Sequence, residues 1–252
     1  ASTRWKSGLK TKLERIRPMK LKLLGVGTNA KTTKGDGSEY LTAILYLAPA
    51  DTVDGINLCP MAVLAGCKAG CLYSAGRGAF NSVQVARQRK TILWRDNRGE
   101  FIAQLHDDLI AFRKYCLKKG IKPVVRLNGT SDIHWERHID MAGEYPEIQF
   151  YDYTKDVKRA NKVLPSNYHL TLSYSEASQR YSDMVLDTMQ SAKGSNMAVV
   201  FRHKDKMPTT YKGFTVVDGD KDDLRFLDPK GVVVALYAKG KAKQDTSGFV
   251  IG

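Results

Sequence analysis

A succession of short apolar runs, each ending in polar residues, restricts the fold of this chain more than any other feature. Seven runs rich in Val, Leu and Tyr lie at residues 41–47, 122–128, 148–155, 169–175, 197–203, 214–218 and 232–239. Helical patterns separate several of them, as in parallel βαβ units. In such proteins, active-site residues collect at the carboxyl ends of the strands, where these runs become polar. We therefore expect an α/β fold in which residues 25–252 form one partial or full parallel β/α barrel.

The helical patterns differ in strength. Residues 101–117 carry one apolar stripe, because Phe101, Leu105, Leu109, Phe112 and Cys116 recur at spacings of three and four. A basic helix is expected at 81–96, and two further helical stretches at 135–142 and 176–193. Cys116 completes the stripe, so we interpret it as a core residue.

Alternation along the predicted strands separates their two faces. Apolar residues such as Val125, Phe150 and Leu170 would pack against helices, and the residues between them would point inward. A polar interior of this kind suits an anionic or carbonyl substrate, and an acid just past a strand end suits a general base. The candidate catalytic residues are therefore Arg126, Asn128, Asp132, Tyr153, Lys155 and Ser173. Internal ion pairs and helix caps remain the structural alternatives for these residues.

Three of the four cysteines fall within thirteen residues. Cys59, Cys67 and Cys71 form a C-x7-C-x3-C pattern on a glycine-bearing loop at 56–78. The glycines permit the tight turns that would bring three thiolates to one cofactor. Structural zinc usually takes four ligands in paired knuckles, and no second pair is present. We expect a 4Fe-4S cluster at the rim of the strands; a three-thiolate zinc site and three unligated cysteines are the alternatives.

A fourth cluster ligand does not follow from the sequence. The histidines at 134, 138, 169 and 203 are candidates, as are serine, water and substrate. An iron without a cysteine ligand could act as a Lewis acid or pass an electron to a bound cofactor.

Positive charge is concentrated near the beginning of the chain. The net charge is +14, and residues 1–34 hold ten Lys or Arg but a single acid, Glu14. We interpret residues 1–24 as a basic arm that would attract nucleic acid through counterion release, or that is simply a solvated terminus. No run approaches the roughly 20 apolar residues of a membrane span, and the first twenty residues lack the apolar core of a secretion signal. An intracellular protein is therefore expected.

Several motifs together resemble a family of uncharacterised phage-encoded proteins that is abundant in marine viruses. The matching segments are 28–32 (TNAKT), 59–60 (CP) with Cys67 and Cys71, 86–87 (AR), 90–91 (KT), 126–132 (RLNGTSD), 151–155 (YDYTK) and 173–176 (SYSE). The resemblance implies a viral iron–sulfur protein that works in the cytoplasm of the infected cell, and it supplies no reaction.

The expected architecture and cysteine count are also similar to those of radical SAM enzymes, which bind a cubane through three cysteines above a partial barrel. That family uses C-x3-C-x2-C, whereas this loop is C-x7-C-x3-C and no glycine-glycine-acid strand end is present. The leading hypothesis is therefore a hydrolase or lyase with a small-molecule substrate. A radical or electron-transfer enzyme and a nucleic-acid-binding protein with a structural cluster are the alternatives.

Overall fold

The computed structural model describes residues 21–27, 32, 37, 39–191 and 195–252 of the chain. Its ten strands are Leu24–Val26 (β1), Tyr40–Leu45 (β2), Lys122–Arg126 (β3), Gln149–Thr154 (β4), Tyr168–Ser173 (β5), Asn196–Phe201 (β6), Thr210–Tyr211 (β7), Phe214–Asp218 (β8), Val233–Tyr237 (β9) and Val250–Ile251 (β10). The helices in these residues are Asn81–Asp96 (α1), Arg98–Lys118 (α2), Met141–Glu144 (α3), Val157–Ala160 (α4) and Gln179–Ser191 (α5). Of the predicted basic arm, residues 1–20 lie outside this part of the chain, and residues 21–24 lead into β1.

The strands form an open mixed sheet, so the predicted barrel is wrong. Strands β2 to β6 lie side by side in chain order and run parallel, as a barrel would require. After β6 the order breaks, because β9 pairs with β6 and β8 lies beyond β9. Antiparallel strands then end the sheet on both sides, β1 on β2 and β7 on β8. The described helices are also too few and too short to surround a barrel, since α3 and α4 are single turns.

Two helices cover one face of the sheet. The predicted stripe of α2 packs on Val125, Leu127, Phe150 and Leu170, and Cys116 is fully buried within it, as expected. Helix α5 contributes Tyr181, Val185 and Met189 to a second cluster, which includes residues of β5, β6 and β9. Strand alternation therefore identified the helix-facing side chains correctly, because each strand buries every second residue against this layer.

The other face carries the polar residues that the barrel hypothesis had placed in a closed interior. Segment 219–228 lies across this face, with Leu224 and Phe226 against Val124 and Tyr151. Arg126, Tyr151 and Tyr153 are thus covered by this segment, whose Asp223 accepts from all three.

Two segments meet above the carboxyl ends of the central strands. One is the long connection from β2 to α1, which contains the three cysteines. The other is the end of the chain, where β10 pairs with the last residues of β6. Ser247 Oγ donates to the Gly66 carbonyl at 3.0 Å and so joins the two segments. No helix among the described residues has the length and apolar character needed to cross a membrane.

Candidate active site

A polar pocket of about 130 Å³ opens at the carboxyl ends of β3, β4 and β5, beneath the cysteine-bearing connection. Its walls are formed by the ends of three strands and by the cysteine-bearing connection, because the last residues of parallel strands lie at one edge of the sheet. All six candidate catalytic residues line it, together with Cys59 and Cys67. The sequence therefore predicted correctly that these six residues lie together, although it assigned them to the wrong architecture; their catalytic role stays a prediction.

The loop is held against this edge by its backbone. Asp132 donates its N–H to the Leu58 carbonyl at 2.8 Å, and Cys59 Sγ lies 3.7 Å from the Thr130 carbonyl. Gly66 adopts a φ of +62°, and a β-carbon there would lie 2.5 Å from the Cβ of Ala177. A side chain at position 66 would be both strained and obstructed, so this turn requires glycine.

The three predicted ligands approach one another. Each is partly buried, and the thiols of Cys59, Cys67 and Cys71 lie close enough to raise one another's pKa. Burial is the largest cause of the raised pKa in all three, and it brings that of Cys59 to about 12. The metal-free thiols therefore hold their protons at neutral pH, and a metal would have to displace them.

The spacing of these thiols bears on which metal group they fit. Among the described residues, no three His, Cys, Asp or Glu side chains are placed to hold a single metal ion. With zinc–sulfur bonds of about 2.3 Å, a tetrahedral zinc ion needs its sulfur ligands roughly 4 Å apart. In a cubane each cysteine binds a different iron, so the thiolates stand further apart. The described residues therefore form no ready-made site for a single metal ion, and the cluster stays a prediction from the sequence.

Lys155 is a cation of the pocket whose charge acts on Cys67 and Cys71. Its Nζ donates to Ser173 Oγ at 2.6 Å and lies 4.8 Å from the centre of the Phe249 ring. Burial lowers the pKa of Lys155, whereas Cys67, Asp132 and the other two thiols raise it. No carboxylate in the described part of the chain forms an ion pair with it, so its charge is directed toward the pocket and the thiols.

Asp132 is committed to structure rather than to proton transfer. Its carboxylate accepts from Thr154 Oγ1 at 2.8 Å, from the Lys155 N–H at 2.8 Å and from Arg159 at 2.9 Å. A carboxylate engaged with three donors of its own chain has few lone pairs left to accept a proton from a substrate. We therefore regard Asp132 as the residue that positions Lys155. Arg159, which sequence reasoning did not single out, is fully buried and also pairs with Glu136.

Asn128 is likewise a positioning residue. Its Oδ1 accepts from Ser131 Oγ, the Ile133 N–H and Trp135 Nε1, at 2.9, 2.9 and 3.1 Å. Its amide nitrogen donates to the Ile133 carbonyl and to Asp152. These bonds shape the turn after β3 and explain why the predicted helix at 135–142 is reduced to a 3-10 turn at Trp135–Arg137 and the short helix α3.

Arg126 forms an ion pair that the sequence did not indicate. Its Nη1 lies 3.1 Å from the carboxylate of Asp223, and its guanidinium stacks on Tyr153 at 4.7 Å. The same carboxylate accepts from Tyr151 at 2.6 Å and from Tyr153 at 3.3 Å. The sequence analysis allowed an internal ion pair for Arg126 but did not identify Asp223 as its partner. The available signal was the inward-facing Arg126, which needs a buried acid as partner.

None of the four candidate histidines lines the pocket. His134 pairs with Asp156 at 3.0 Å, and His138 packs edge-on against Trp94 and Trp135. His169 bonds to Thr171 near the start of β5, away from the strand end that lines the pocket, and His203 follows β6. A fourth ligand from these histidines is therefore not supported by their positions.

Fold and site together define an open α/β sheet with a polar pocket under a cysteine-bearing loop. The model of the family described as Gene product 88 matches residues 20–252. The chain therefore belongs to the gene product 88 family, which agrees with the phage-type family expected from its motifs. No curated protein and no solved structure matches the chain.

Proposed function

We propose that this chain is a viral iron–sulfur enzyme that acts as a hydrolase or lyase on a small anionic substrate. In this proposal Cys59, Cys67 and Cys71 bind a 4Fe-4S cluster. One observation carries it: Cys59 and Cys67 line the same pocket as the cation Lys155, and Cys71, on the same loop, also acts on the charge of Lys155. Cysteines with a purely structural role would have no reason to gather around the cation of a pocket.

Electrostatics favour an anionic substrate. Asp223 already neutralises Arg126, so Lys155 supplies the uncompensated positive charge of the pocket. Lys155 would bind a carboxylate or phosphoryl oxygen, with Ser173 as its hydrogen-bond partner. The planar guanidinium of Arg126 lines the same pocket and would help to orient the substrate.

A cubane held by three cysteines leaves one iron without a thiolate, and such an iron supplies Lewis acidity toward a carbonyl or phosphoryl oxygen. The chain's own residues would bind the substrate beside the cysteines. Asp132 and Asn128 would hold the backbone of the binding site in place, through hydrogen bonds to Lys155 and to residues 131–135.

The Lys155–Ser173 hydrogen bond of 2.6 Å favours a second candidate, a serine hydrolase that needs no metal. A buried lysine beside a serine is a known nucleophile–base pair. In that mechanism the Ser173 hydroxyl would attack an acyl carbon, and Lys155 would accept its proton.

Turnover of an ester, amide and phosphoester panel tests both candidates. The cluster proposal predicts that anaerobically purified wild type hydrolyses a member of the panel and that Cys71→Ala abolishes this activity, while Cys116→Ala retains it. Activity that survives Cys71→Ala but is lost in Ser173→Ala would favour the serine mechanism over the cluster mechanism.

Reductive cleavage of SAM by the wild type would support radical chemistry instead. Salt-dependent DNA binding that is lost on deleting residues 1–22 would support the nucleic-acid hypothesis.

A further inference from the structure

Positive charge is concentrated at the carboxyl ends of β6 and β9. The two strands are parallel neighbours, so the turns that follow them, Lys204–Lys206 and Gly240–Gln244, leave the same edge of the sheet. Arg202 joins these turns, because its guanidinium donates to the Lys243 and Asp245 carbonyls at 2.8 and 2.7 Å. Together the turns and the residues beside them hold six cations, which we call the basic rim: Arg202, Lys204, Lys206, Lys239, Lys241 and Lys243.

Few acids offset the charge of the basic rim. Asp220 pairs with Lys239 at 2.7 Å, and Asp205 is exposed within the first turn. Asp245 is buried, and its carboxylate accepts from the Val250 N–H at 3.1 Å. The other four lysines of the rim are exposed, and none of them forms an ion pair with an acid in the described part of the chain. The rim therefore presents net positive charge to solvent.

Partly exposed aromatic rings lie among these cations. The Lys239 and Lys204 ammonium groups lie 4.8 and 5.8 Å from the centre of the Tyr237 ring. Phe249 is also partly exposed, and its ring centre lies 4.8 Å from Nζ of the pocket residue Lys155. Single-stranded nucleic acid binds to surfaces of this kind, because its phosphates contact cations and its unpaired bases stack on aromatic faces. The rings favour such a strand over an acidic protein, whose carboxylates need the cations alone.

The basic rim borders the cysteine-bearing connection on both sides of Cys71. A β-carbon built on Gly70 would lie 3.4 Å from the Cα and Cβ of Ala242, and one built on Gly240 would lie 3.0 Å from the Cβ of Ala75. The second turn of the rim therefore packs directly against this connection. A strand bound along the rim would pass beside the segment that covers the pocket.

We propose that the basic rim binds single-stranded nucleic acid, with phosphates on its exposed lysines and an unpaired base on Tyr237. The surface is separate from the basic arm at 1–24, and none of its contacts requires a metal. The strand is a binding partner in this inference, and no reaction at the pocket is part of it.

Salt titrations of the full chain with a fluorescent oligothymidylate, followed by anisotropy, test the rim. Each phosphate contact on a single strand adds about 0.7 to the slope of log affinity against log salt. Lys241→Gln/Lys243→Gln should therefore lower the slope by about 1.4 and weaken binding roughly 25-fold at about 0.1 M NaCl. The basic arm is the same in every variant, so its contribution cancels.

Lys118→Gln/Lys119→Gln is the matched control. It removes the same charge from exposed lysines at the end of α2, which precedes the start of β3 and so lies at the opposite edge of the sheet. This control should bind like the wild type. Wild-type affinity and slope in Lys241→Gln/Lys243→Gln would overturn the inference, because binding would then belong to the arm or to another surface.

Tyr237→Leu distinguishes a single strand from other polyanions. Loss of base stacking should weaken oligothymidylate binding about tenfold and leave the binding of heparin, which has no bases, unchanged. Normal oligothymidylate binding by Tyr237→Leu, or an equal loss for both ligands, would overturn the assignment to nucleic acid.

If Tyr237→Leu does not fold, ultraviolet crosslinking of the wild type to a bromodeoxyuridine-labelled single strand decides the matter. The label should appear in the peptide that contains Tyr237, and labelling confined to residues 1–34 would overturn the inference. Because no step involves iron, these results are separate from the outcome of the cluster proposal.

Discussion

The ion pair between Arg126 and Asp223 provides the sharpest test of the polar sheet face. Asp223→Asn keeps the size of the side chain but removes the charge that faces Arg126 at 3.1 Å and one of the two acceptor oxygens that bind Arg126, Tyr151 and Tyr153. The side chains of Arg126 and Asp223 are 11% and 2% exposed, so solvent cannot replace the lost partner. Breaking a buried pair by removing one partner costs about 3 to 5 kcal/mol.

For a chain of this size the loss lowers the melting temperature by about 6 to 20 °C, at roughly 2–4 °C per kcal/mol. Urea unfolding gives the free energy directly. The double variant Arg126→Met/Asp223→Asn should recover about half of the loss, because the stranded charge is gone. Glu39→Gln, which breaks an exposed ion pair with Lys122, is the control and should have no measurable effect. A loss below about 1 kcal/mol for Asp223→Asn, or no recovery in the double variant, would refute the reasoning.

Three further predictions concern stability. Burial lowers the pKa of His169 to about 4, so the unfolded chain binds a proton at this histidine at higher pH than the folded chain does, and the free energy of unfolding falls as pH falls from about 6.5 to 4. We expect urea unfolding to show a loss of about 2 kcal/mol between pH 7 and pH 5, and His169→Gln should abolish this loss. Gly129→Ala would place its methyl 2.5 Å from the Tyr46 ring and should lower the free energy of unfolding by about 1 to 3 kcal/mol, whereas a neutral effect would mean that the ring moves freely. Phe101→Ala, at a fully buried position of α2, should cost about 3 to 5 kcal/mol in the same assay, and a loss under 1 kcal/mol would contradict the packing described for that helix.

Much of the sheet could be predicted from the sequence. All seven apolar runs are strands, because buried parallel strands need continuous apolar residues and therefore leave a strong local signal. The three strands that were missed, β1, β7 and β10, are only two or three residues long. Segments this short carry no periodicity, and their pairing depends on contacts distant in the sequence.

The barrel was predicted wrongly for a related reason. Strand order β2 to β6 is what a barrel would show, and the pattern within each unit is the same in an open sheet. The difference arises after β6, where the hairpin of β7 and β8 replaces a helical crossover and β9 enters between β8 and β6. The alternation pattern within a strand does not determine which edge of the sheet a later strand will pair with.

The candidate site was also predicted only in part: the residues at strand ends were identified, and their buried partners were not. Strand ends and alternation placed Lys155, Ser173 and Arg126 at one edge, because those signals are local. The partners Asp223 and Arg159 come from segments with several charged residues, where nothing local distinguishes a buried acid or arginine from an exposed one.

The iron and acid-labile sulfide content of the anaerobically reconstituted chain tests the cluster most directly. The account predicts about four of each per wild-type chain, reduced to near zero in Cys59→Ala, Cys67→Ala and Cys71→Ala, and unchanged in Cys116→Ala. A colourless wild type that carries zinc, or no metal at all, would contradict it.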